Sequence, residues 1–458
     1  MADPVTATSP ATDAPKAHAA AETGVLPRRL GVWTATAIVM GTIIGSGIFG
    51  TPASIASAVP SVGAVMVVWI IGGLVTICLA LCLAELATMF PRSGGVYVFL
   101  REAYGPEMAF VYGWTFLLIN PANWAAIATM FAEYLGAFVP VTPTGKHVVA
   151  SLVVIFVCTA NYVSLRFAAG IQNFTTSAKG LALAGIALTI FFLGSSSSGS
   201  FAQPVEFSVP SWGLFGVALV AVLWPYEGVA GSSSICGEVR DPARNLPRAL
   251  ITSVVIVMAL YLLVNAAYLY VLPIDSIAKS GLVAADAMQA VAGPRGAQAL
   301  AACVMLSTFG AVAAASISDP RVFYAMARDG LFFKKIGAVH PRFETPHVAI
   351  VVSGLLAIVY LWVRSFEELA AQFVLGLWLF YTLAVIGLIV LRFKRPDAAR
   401  PYRTFLYPVV PVVFVLAAGM LLLNSLVELP TISLANLAVT ALGIPVYYIW
   451  RRTHRQKK

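Results

Sequence analysis

Of the 458 residues, 59% are Ala, Val, Ile, Leu, Met, Phe, Trp, Tyr or Cys and only 11% are Asp, Glu, Lys or Arg, with a mean hydropathy of +0.87. A water-soluble domain carries about 25% charged residues, so this composition excludes a large soluble enzyme and requires a surface that faces lipid. The net charge of +9, from 29 Lys and Arg against 20 Asp and Glu, suits nucleic acid, acidic lipid or the orientation of a membrane protein, and position decides among these.

Residues 1–24 are rich in Ala, Pro and Thr, carry Asp3, Asp13 and Glu22, and lack the basic start and apolar core of a secretory signal. They read as a disordered cytoplasmic tail. A membrane span needs about 20 mostly apolar residues, and twelve such segments follow: 30–58, 63–90, 106–138, 147–163, 171–194, 211–237, 247–272, 296–325, 347–364, 366–391, 405–424 and 431–450. The connection from Asp275 to Arg295 is long and amphipathic enough for short helices over the outer mouth. With the N-terminus in the cytoplasm, only Lys146, Lys279, Arg295 and Arg364 fall outside, Lys179 falls within a span, and the other 24 Lys and Arg fall inside. That imbalance satisfies the positive-inside rule and accounts for the charge without nucleic acid. The expected fold is all-α, with twelve transmembrane helices and both termini cytoplasmic, ending in a basic tail at 451–458.

Polar backbone at membrane depth is tolerated only inside protein or along a cavity. The first segment nevertheless holds Gly41, Gly45, Gly47 and Gly50 with Thr42 and Ser46, and Gly45-Ser46-Gly47 is the expected break. A packing face of small residues has the same spacing at Gly41 and Gly45. The sixth segment decides in favour of a break: Pro225, Gly228 and Gly231 interrupt it beside a carboxylate, Glu227. Interrupted helices at positions one and six, five spans apart, point to two inverted halves with a site at the bilayer midplane. Freed N–H groups at Gly45, Ser46, Gly47 and Ile48 sit at the positive start of a half-helix and suit a carboxylate. Carbonyls of Ile43 and of Trp224–Tyr226 suit an ammonium group, Gly228 permits the second break, and Gly47 keeps the backbone open to the ligand's approach. Together they describe a site for a zwitterion such as an α-amino acid.

At these residues the chain resembles the amino acid–polyamine–organocation (APC) transporter superfamily. The resemblance runs through Gly41–Phe49, Ala84–Ala87 with Phe90–Tyr97, Gly237–Arg248, Arg321–Gly330, and Arg392–Asp397 with Arg400–Arg403, in that order and over nearly the whole chain after residue 24. It implies a leucine-transporter-type fold of five plus five inverted spans and two peripheral ones, divided as 25–195, 208–395 and 400–450. It also implies alternating access and an amino acid substrate. Lys179, about 12 Å into the fifth span, either snorkels or, as the resemblance implies, takes the place of a sodium ion and bridges the first break to the eighth span. Ser307 and Thr308 are the hydroxyls best placed for that bridge, or return hydrogen bonds to their own helix. A Lys179 that loses its proton on burial would instead couple transport to protons.

Glu227 is either held by the unwound backbone or faces the site, where it selects cations or carries a proton; a carboxylate facing away from the cavity has no bearing on selectivity. Trp224 and Tyr226 are candidates to cap the substrate. Glu85 and Arg92, with Glu238, Arg240, Arg244 and Arg248, are candidates for ion pairs closing an inner gate, or ordinary interfacial charges. Asp319, before Pro320 and Arg321, departs from the small or hydroxyl residue expected there. The five Cys lie in apolar stretches without CxxC spacing, and the five His lie in tails, loops or helix margins. No disulfide frame, metal site, nucleotide motif or catalytic motif follows, so the chain is not expected to be an enzyme or to carry a cofactor. The resulting expectation is a plasma-membrane transporter of neutral L-amino acids, by exchange or proton symport. Cationic amino acids or polyamines are the alternative substrates, and an amino acid sensor the alternative class. The expected partners are an amino acid, the bilayer and, for symport, protons, with a partner subunit left open.

Overall fold

A computed structural model describes residues 31–92, 94–163, 165–195, 199–202, 207–232, 239–333, 335–338, 340, 343 and 345–455. The tail 1–24, Cys236 and Glu238 lie outside the described residues. The first apolar segment is three pieces: α1 (Val32–Ile43), α2 (Gly47–Gly50) and α3 (Pro52–Ala58). It is followed by α4 (Val62–Met89) and a short α5 (Val96–Tyr104). The third segment divides at Asn120 into α6 (Pro106–Ile119) and α7 (Pro121–Leu135), and α8 (Pro143–Val163) and α9 (Leu165–Leu193) follow.

The sixth segment is α10 (Trp212–Leu223), a four-residue turn and α11 (Gly228–Ser232). Next come α12 (Pro242–Val271), the short α13 (Ile274–Lys279), α14 (Val283–Ser318) and α15 (Pro320–Arg328). The last four helices are α16 (His347–Val363), α17 (Phe366–Lys394), α18 (Val409–Glu428) and α19 (Pro430–Arg455). Among the described residues nine helices are long and apolar enough to cross a membrane. Three shorter apolar ones, Lys179–Leu193, Trp212–Leu223 and His347–Val363, fall at the fifth, sixth and ninth expected segments.

Two boundaries differ from the sequence expectation for identifiable reasons. Segment eight is not one helix through 325, because Pro320 has no N–H to give and a new helix starts there behind Asp319. Segment eleven starts at Val409 rather than 405, since Pro408 occupies the cap position in a non-helical conformation.

The helices pack in a regular scheme. α1 packs on α11, α4 on α12, α7 on α14 and α8 on α16. α12 also receives α1 and α9, while α4 receives α10 and α17. α14 receives α9 and α8, while α7 receives α17 and α16. α18 lies against α4, α10 and α17, and α19 against α6 and α17.

One buried charge fastens the end of α4 to the segment after α17. Glu85 is fully buried and accepts from Arg392 through Nε at 3.0 Å and Nη2 at 2.7 Å, a two-pronged pair. The Thr404 N–H donates to the same carboxylate at 2.6 Å, and Arg400 Nε lies 3.5 Å away. The Arg392 guanidinium stands 3.6 Å from the Tyr407 ring centre, a cation–π contact. Arg400 in turn donates to the carbonyls of Pro396, Ala398, Leu391 and Arg395, so the loop is wound around it. Glu85 and Arg92 therefore do not pair with each other; Arg92 lies 3.8 Å from Glu102. Removing the carboxylate strands a partly buried cation and a buried amide together. Glu85→Ala is expected to lower stability by about 3–5 kcal/mol, read as a fall in the thermal unfolding midpoint of the purified protein.

Candidate functional site

The breaks of the first and sixth segments meet back to back. α1 ends as Ile44 turns to an extended ψ of 91°, one residue earlier than expected, and helical backbone resumes at Gly47. A Cβ on Gly228 would lie 2.3 Å from the Thr42 carbonyl carbon and 2.5 Å from the Ile43 nitrogen. A Cβ on Gly47 would lie 2.7 Å from the Pro225 Cα. Both glycines are thus required by the approach of one backbone to the other. For Gly47 this corrects the expectation that its missing side chain opens the backbone to a ligand, because Pro225 fills that space. Gly45 is the open position, where a Cβ would meet only the Ile43 oxygen at 3.9 Å.

Tyr261 of α12 holds the junction. Its hydroxyl lies 3.1 Å from the Ile43 carbonyl and 3.2 Å from the Pro225 carbonyl, donating to one carbonyl of each break in turn. Thr42 Oγ1 donates to the Val39 carbonyl at 2.7 Å and lies 3.3 Å from the Gly228 carbonyl. The Ile43 carbonyl, expected to take an ammonium group, thus already has one donor, with a second lone pair to spare.

The donors of the first break are the open groups. Among the described residues no carbonyl takes the N–H groups of Gly45, Ser46, Gly47 or Ile48, and helical bonding resumes with Phe49 and Gly50 donating to the Ser46 carbonyl. Ser46 is 1% exposed, and its Oγ is buried without a hydrogen-bond partner. Buried polar groups are almost always paired, so a cluster of open donors at a half-helix start is a place for an acceptor.

The aromatic residues of the second break divide. Trp224 Nε1 donates to Asn123 Oδ1 of α7 at 2.9 Å, and its ring meets Phe366 edge-on at 5.2 Å. A Cβ on Gly50 would be 2.5 Å from the same Phe366 ring, so Phe366, the first residue of α17, touches both interrupted segments. Tyr226 turns away: its hydroxyl donates to the Trp69 carbonyl of α4 at 3.3 Å, and its ring packs between Trp69 and Tyr261. It is part of the packing of α4 and α12 and does not cap the site.

Glu227 accepts a short hydrogen bond from the Tyr381 hydroxyl of α17, so the unwound backbone is not its holder. Asp319 has a clear account in the structure. Its Oδ2 accepts from Asn120 Nδ2 at 2.5 Å and from Trp124 Nε1 at 2.8 Å. Both helix divisions, Asn120-Pro121 and Asp319-Pro320, are thereby joined, and Asn123 on the same turn of α7 reaches Trp224. Lys179 is 4% exposed on α9, a helix that packs on α1, α12 and α14. Thr308 Oγ1 returns to its own helix, at 2.9 Å from the Val304 carbonyl and 3.0 Å from that of Met305. Ser307 is buried with its Oγ unpartnered. No hydrogen bond links Lys179 to either hydroxyl among the described residues.

Sequence reasoning missed Tyr261, Asn123, Phe366 and Tyr381. Tyr261 and Tyr381 are hydroxyls inside apolar runs, a pattern that names neither one's partner. Among the described residues no group of His, Cys, Asp and Glu is arranged to hold a metal ion.

Residues 30–449 match the family described as amino acid permease. The chain is 34% identical to the human b(0,+)-type amino acid transporter 1, over 90% of this chain and 85% of that protein. It is 30% identical to the serine/threonine exchanger SteT of Bacillus subtilis (strain 168), over 92% and 97%. It is 31% identical to the rabbit (Oryctolagus cuniculus) large neutral amino acids transporter small subunit 2, over 96% and 84%. The chain belongs to the amino acid permease family of the APC superfamily, and is a multi-pass membrane transporter rather than an enzyme.

The junction predicts a graded response to adding one methyl group. Gly228→Ala is expected to cost about 1–3 kcal/mol, the range for overpacking a filled interior. Gly45→Ala, in open space, is expected to stay within about 0.5 kcal/mol. Thermal unfolding of the two purified variants checks this, and equal midpoints would refute the backbone contact.

Proposed function

We propose that the protein is a secondary active transporter of neutral L-amino acids that works by alternating access. The observation that carries this reading is the set of open donors at Gly45–Ile48, with the unpartnered Ser46 hydroxyl, facing a second break whose carbonyls lie beside it. A carboxylate accepts from those N–H groups at the start of a half-helix. The ammonium group donates to the free lone pairs of Ile43 and Pro225 and to the carbonyls of Trp224 and Tyr226. Trp224, fixed by Asn123 and Phe366, stands over the second break as the cap. The names of the relatives, among them an exchanger and a transporter of large neutral amino acids, support the same substrate class.

The scaffold in this proposal has twelve spans, made of the nine long apolar helices and the three shorter ones. Residues 25–195 and 208–395 form inverted halves of five spans each, and 400–450 forms two peripheral spans. The packing scheme supports this: exchanging each of spans one to five with its counterpart five later turns nearly every major helix contact into another that is present. The pair α1–α12 becomes α10–α4, α9–α12 becomes α17–α4, and α7–α16 becomes α14–α8. Both termini lie in the cytoplasm, as the distribution of Lys and Arg supports, and the protein lies in the plasma membrane.

Lys179 lies on a helix against the first and eighth spans and acts as a fixed cation in exchange, or releases a proton in symport. A second reading, a transporter of cationic amino acids or polyamines, rests on Glu227 beside the second break. Its bond to Tyr381 favours the first reading, in which that carboxylate is structural.

Uptake of labelled amino acids into proteoliposomes tests the assignment. Stimulation by unlabelled internal substrate is the result of exchange, and uptake into empty vesicles that requires an inward proton gradient is the result of symport. Absence of uptake of any amino acid under both conditions overturns the transporter reading in favour of a sensor.

Glu227→Gln separates the substrate classes, since the amide still accepts from Tyr381. Neutral uptake is expected to stay within about twofold, whereas a cation held by this carboxylate would lose about tenfold in affinity. Unchanged binding of arginine or a diamine in the variant would eliminate the second reading.

A further inference from the structure

A cavity of about 190 Å³ lies between α17 and the pair α18–α19, away from the two breaks. Its walls are Leu375 and Leu379 of α17, Leu422 and Leu426 of α18, and Asn436 and Leu437 of α19. Leu423, at its mouth, is 66% exposed, so the cavity opens to the surface that faces lipid.

One polar atom in these walls is unsatisfied. Asn436 is 5% exposed, and its Nδ2 donates to the Gln372 carbonyl at 3.0 Å, which fixes the orientation of the amide. Its Oδ1 is buried and has no donor among the described residues. The hydroxyls of the other polar wall residues are engaged: Ser433 donates to the Ser425 carbonyl at 2.8 Å, and Thr440 lies 3.3 Å from the Thr115 hydroxyl.

The occupant follows from these facts. A leucine-lined space of this size does not hold ordered water well, whereas a cavity of about 150 Å³ takes a benzene-sized apolar group. The apolar part of the occupant is therefore a chain or ring segment. Its polar part must be a donor, because Asn436 presents only an acceptor. An ester carbonyl of an ordinary diacyl lipid does not supply one. Asn436 lies about 9 Å along α19 from Pro430, below the level of charged headgroups, where an ammonium group is costly. A neutral hydroxyl remains.

We propose that this cavity binds a neutral, hydroxyl-bearing amphiphile from the bilayer, with its apolar body among the leucines and its O–H donating to Asn436 Oδ1. The site adjoins working parts of the fold. The same stretch of α17 carries Gly376, where a Cβ would lie 2.7 Å from Ile119 of α6, and Tyr381, bonded to Glu227. An occupant braces this stretch of α17 against the peripheral helices.

The test uses the full chain in phosphatidylcholine nanodiscs, with a 1-octanol analogue carrying an aliphatic diazirine and, in parallel, its methyl ether. After irradiation, labelled peptides are mapped by mass spectrometry. The alcohol is expected to label residues 422–426 and 433–440 above the lipid-facing surfaces of α8 and α16, and the ether to label all of these alike. Asn436→Leu is expected to reduce the labelling about fivefold, as loss of one hydrogen bond implies. Leu423→Trp, which fills the mouth and leaves the Asn436–Gln372 bond intact, is expected to reduce it as well, so the test stands even where Asn436→Leu does not fold. Equal labelling by alcohol and ether, or labelling unchanged by Leu423→Trp, overturns the proposal. This readout is independent of transport.

Discussion

The structure depends on two interrupted helices touching backbone to backbone. A helix break at membrane depth leaves donors and acceptors that lipid cannot satisfy, so each break must be enclosed by protein. Here each encloses the other. Gly228 lies against the Thr42–Ile43 peptide and Gly47 against Pro225, and the Tyr261 hydroxyl serves a carbonyl from each. The closeness of the contact explains why side chains are excluded at these two positions and not at Gly45.

Neighbouring elements are shaped by that contact. α12 must bring Tyr261 to the junction, and Ser253 two turns earlier has its hydroxyl 3.0 Å from the Thr36 carbonyl of α1 and 2.5 Å from the Ala249 carbonyl of its own helix, donating to one or the other where the two helices touch. α4 must admit the second break closely. It does so with Gly72, where an added methyl group would strike Val222, while at Gly73 one would strike Met258 of α12. Tyr226 then fills the space above them by bonding to Trp69. A residue that sequence reasoning places over the substrate is thus used as mortar between α4 and α12.

The broad plan was legible from composition and from interruptions in apolar runs. Gly45-Ser46-Gly47 and Pro225–Gly228 announced the breaks because glycine and proline are local signals, and a single span is short enough for their positions to be read directly. What was not legible depends on partners far apart in the chain. Asp319 had no account until Asn120 and Trp124, about 200 positions earlier, supplied donors. Glu85 read as an interfacial charge, yet it is the fully buried anchor of a loop some 310 residues later. Tyr261 was invisible because a tyrosine in an apolar helix looks the same whether its hydroxyl bridges two breaks or caps nothing.

Among the described residues, two kinds of polar group surround the breaks; elsewhere the Trp69 and Trp378 indoles, the Tyr134 and Tyr268 hydroxyls and Asn436 Oδ1 are also buried without partners. Glu85, Asn120, Tyr261 and the half-buried Asp319 have hydrogen bonds met by other parts of the chain. Groups of that kind rigidify a core, because any movement breaks bonds that nothing replaces. Ser46 and Ser307 are buried, the N–H groups of Gly45–Ile48 lie beside Ser46, and all lack partners among the described residues. Leaving such groups unmet costs free energy in every state except one in which something binds. The satisfied groups named here lie on α4 and α12 and at the divisions between α6 and α7 and between α14 and α15, while Ser46 lies in the first break and Ser307 on α14. In the proposed alternating-access cycle the bonds of the first kind persist, and the open donors of the first break are completed by the cargo.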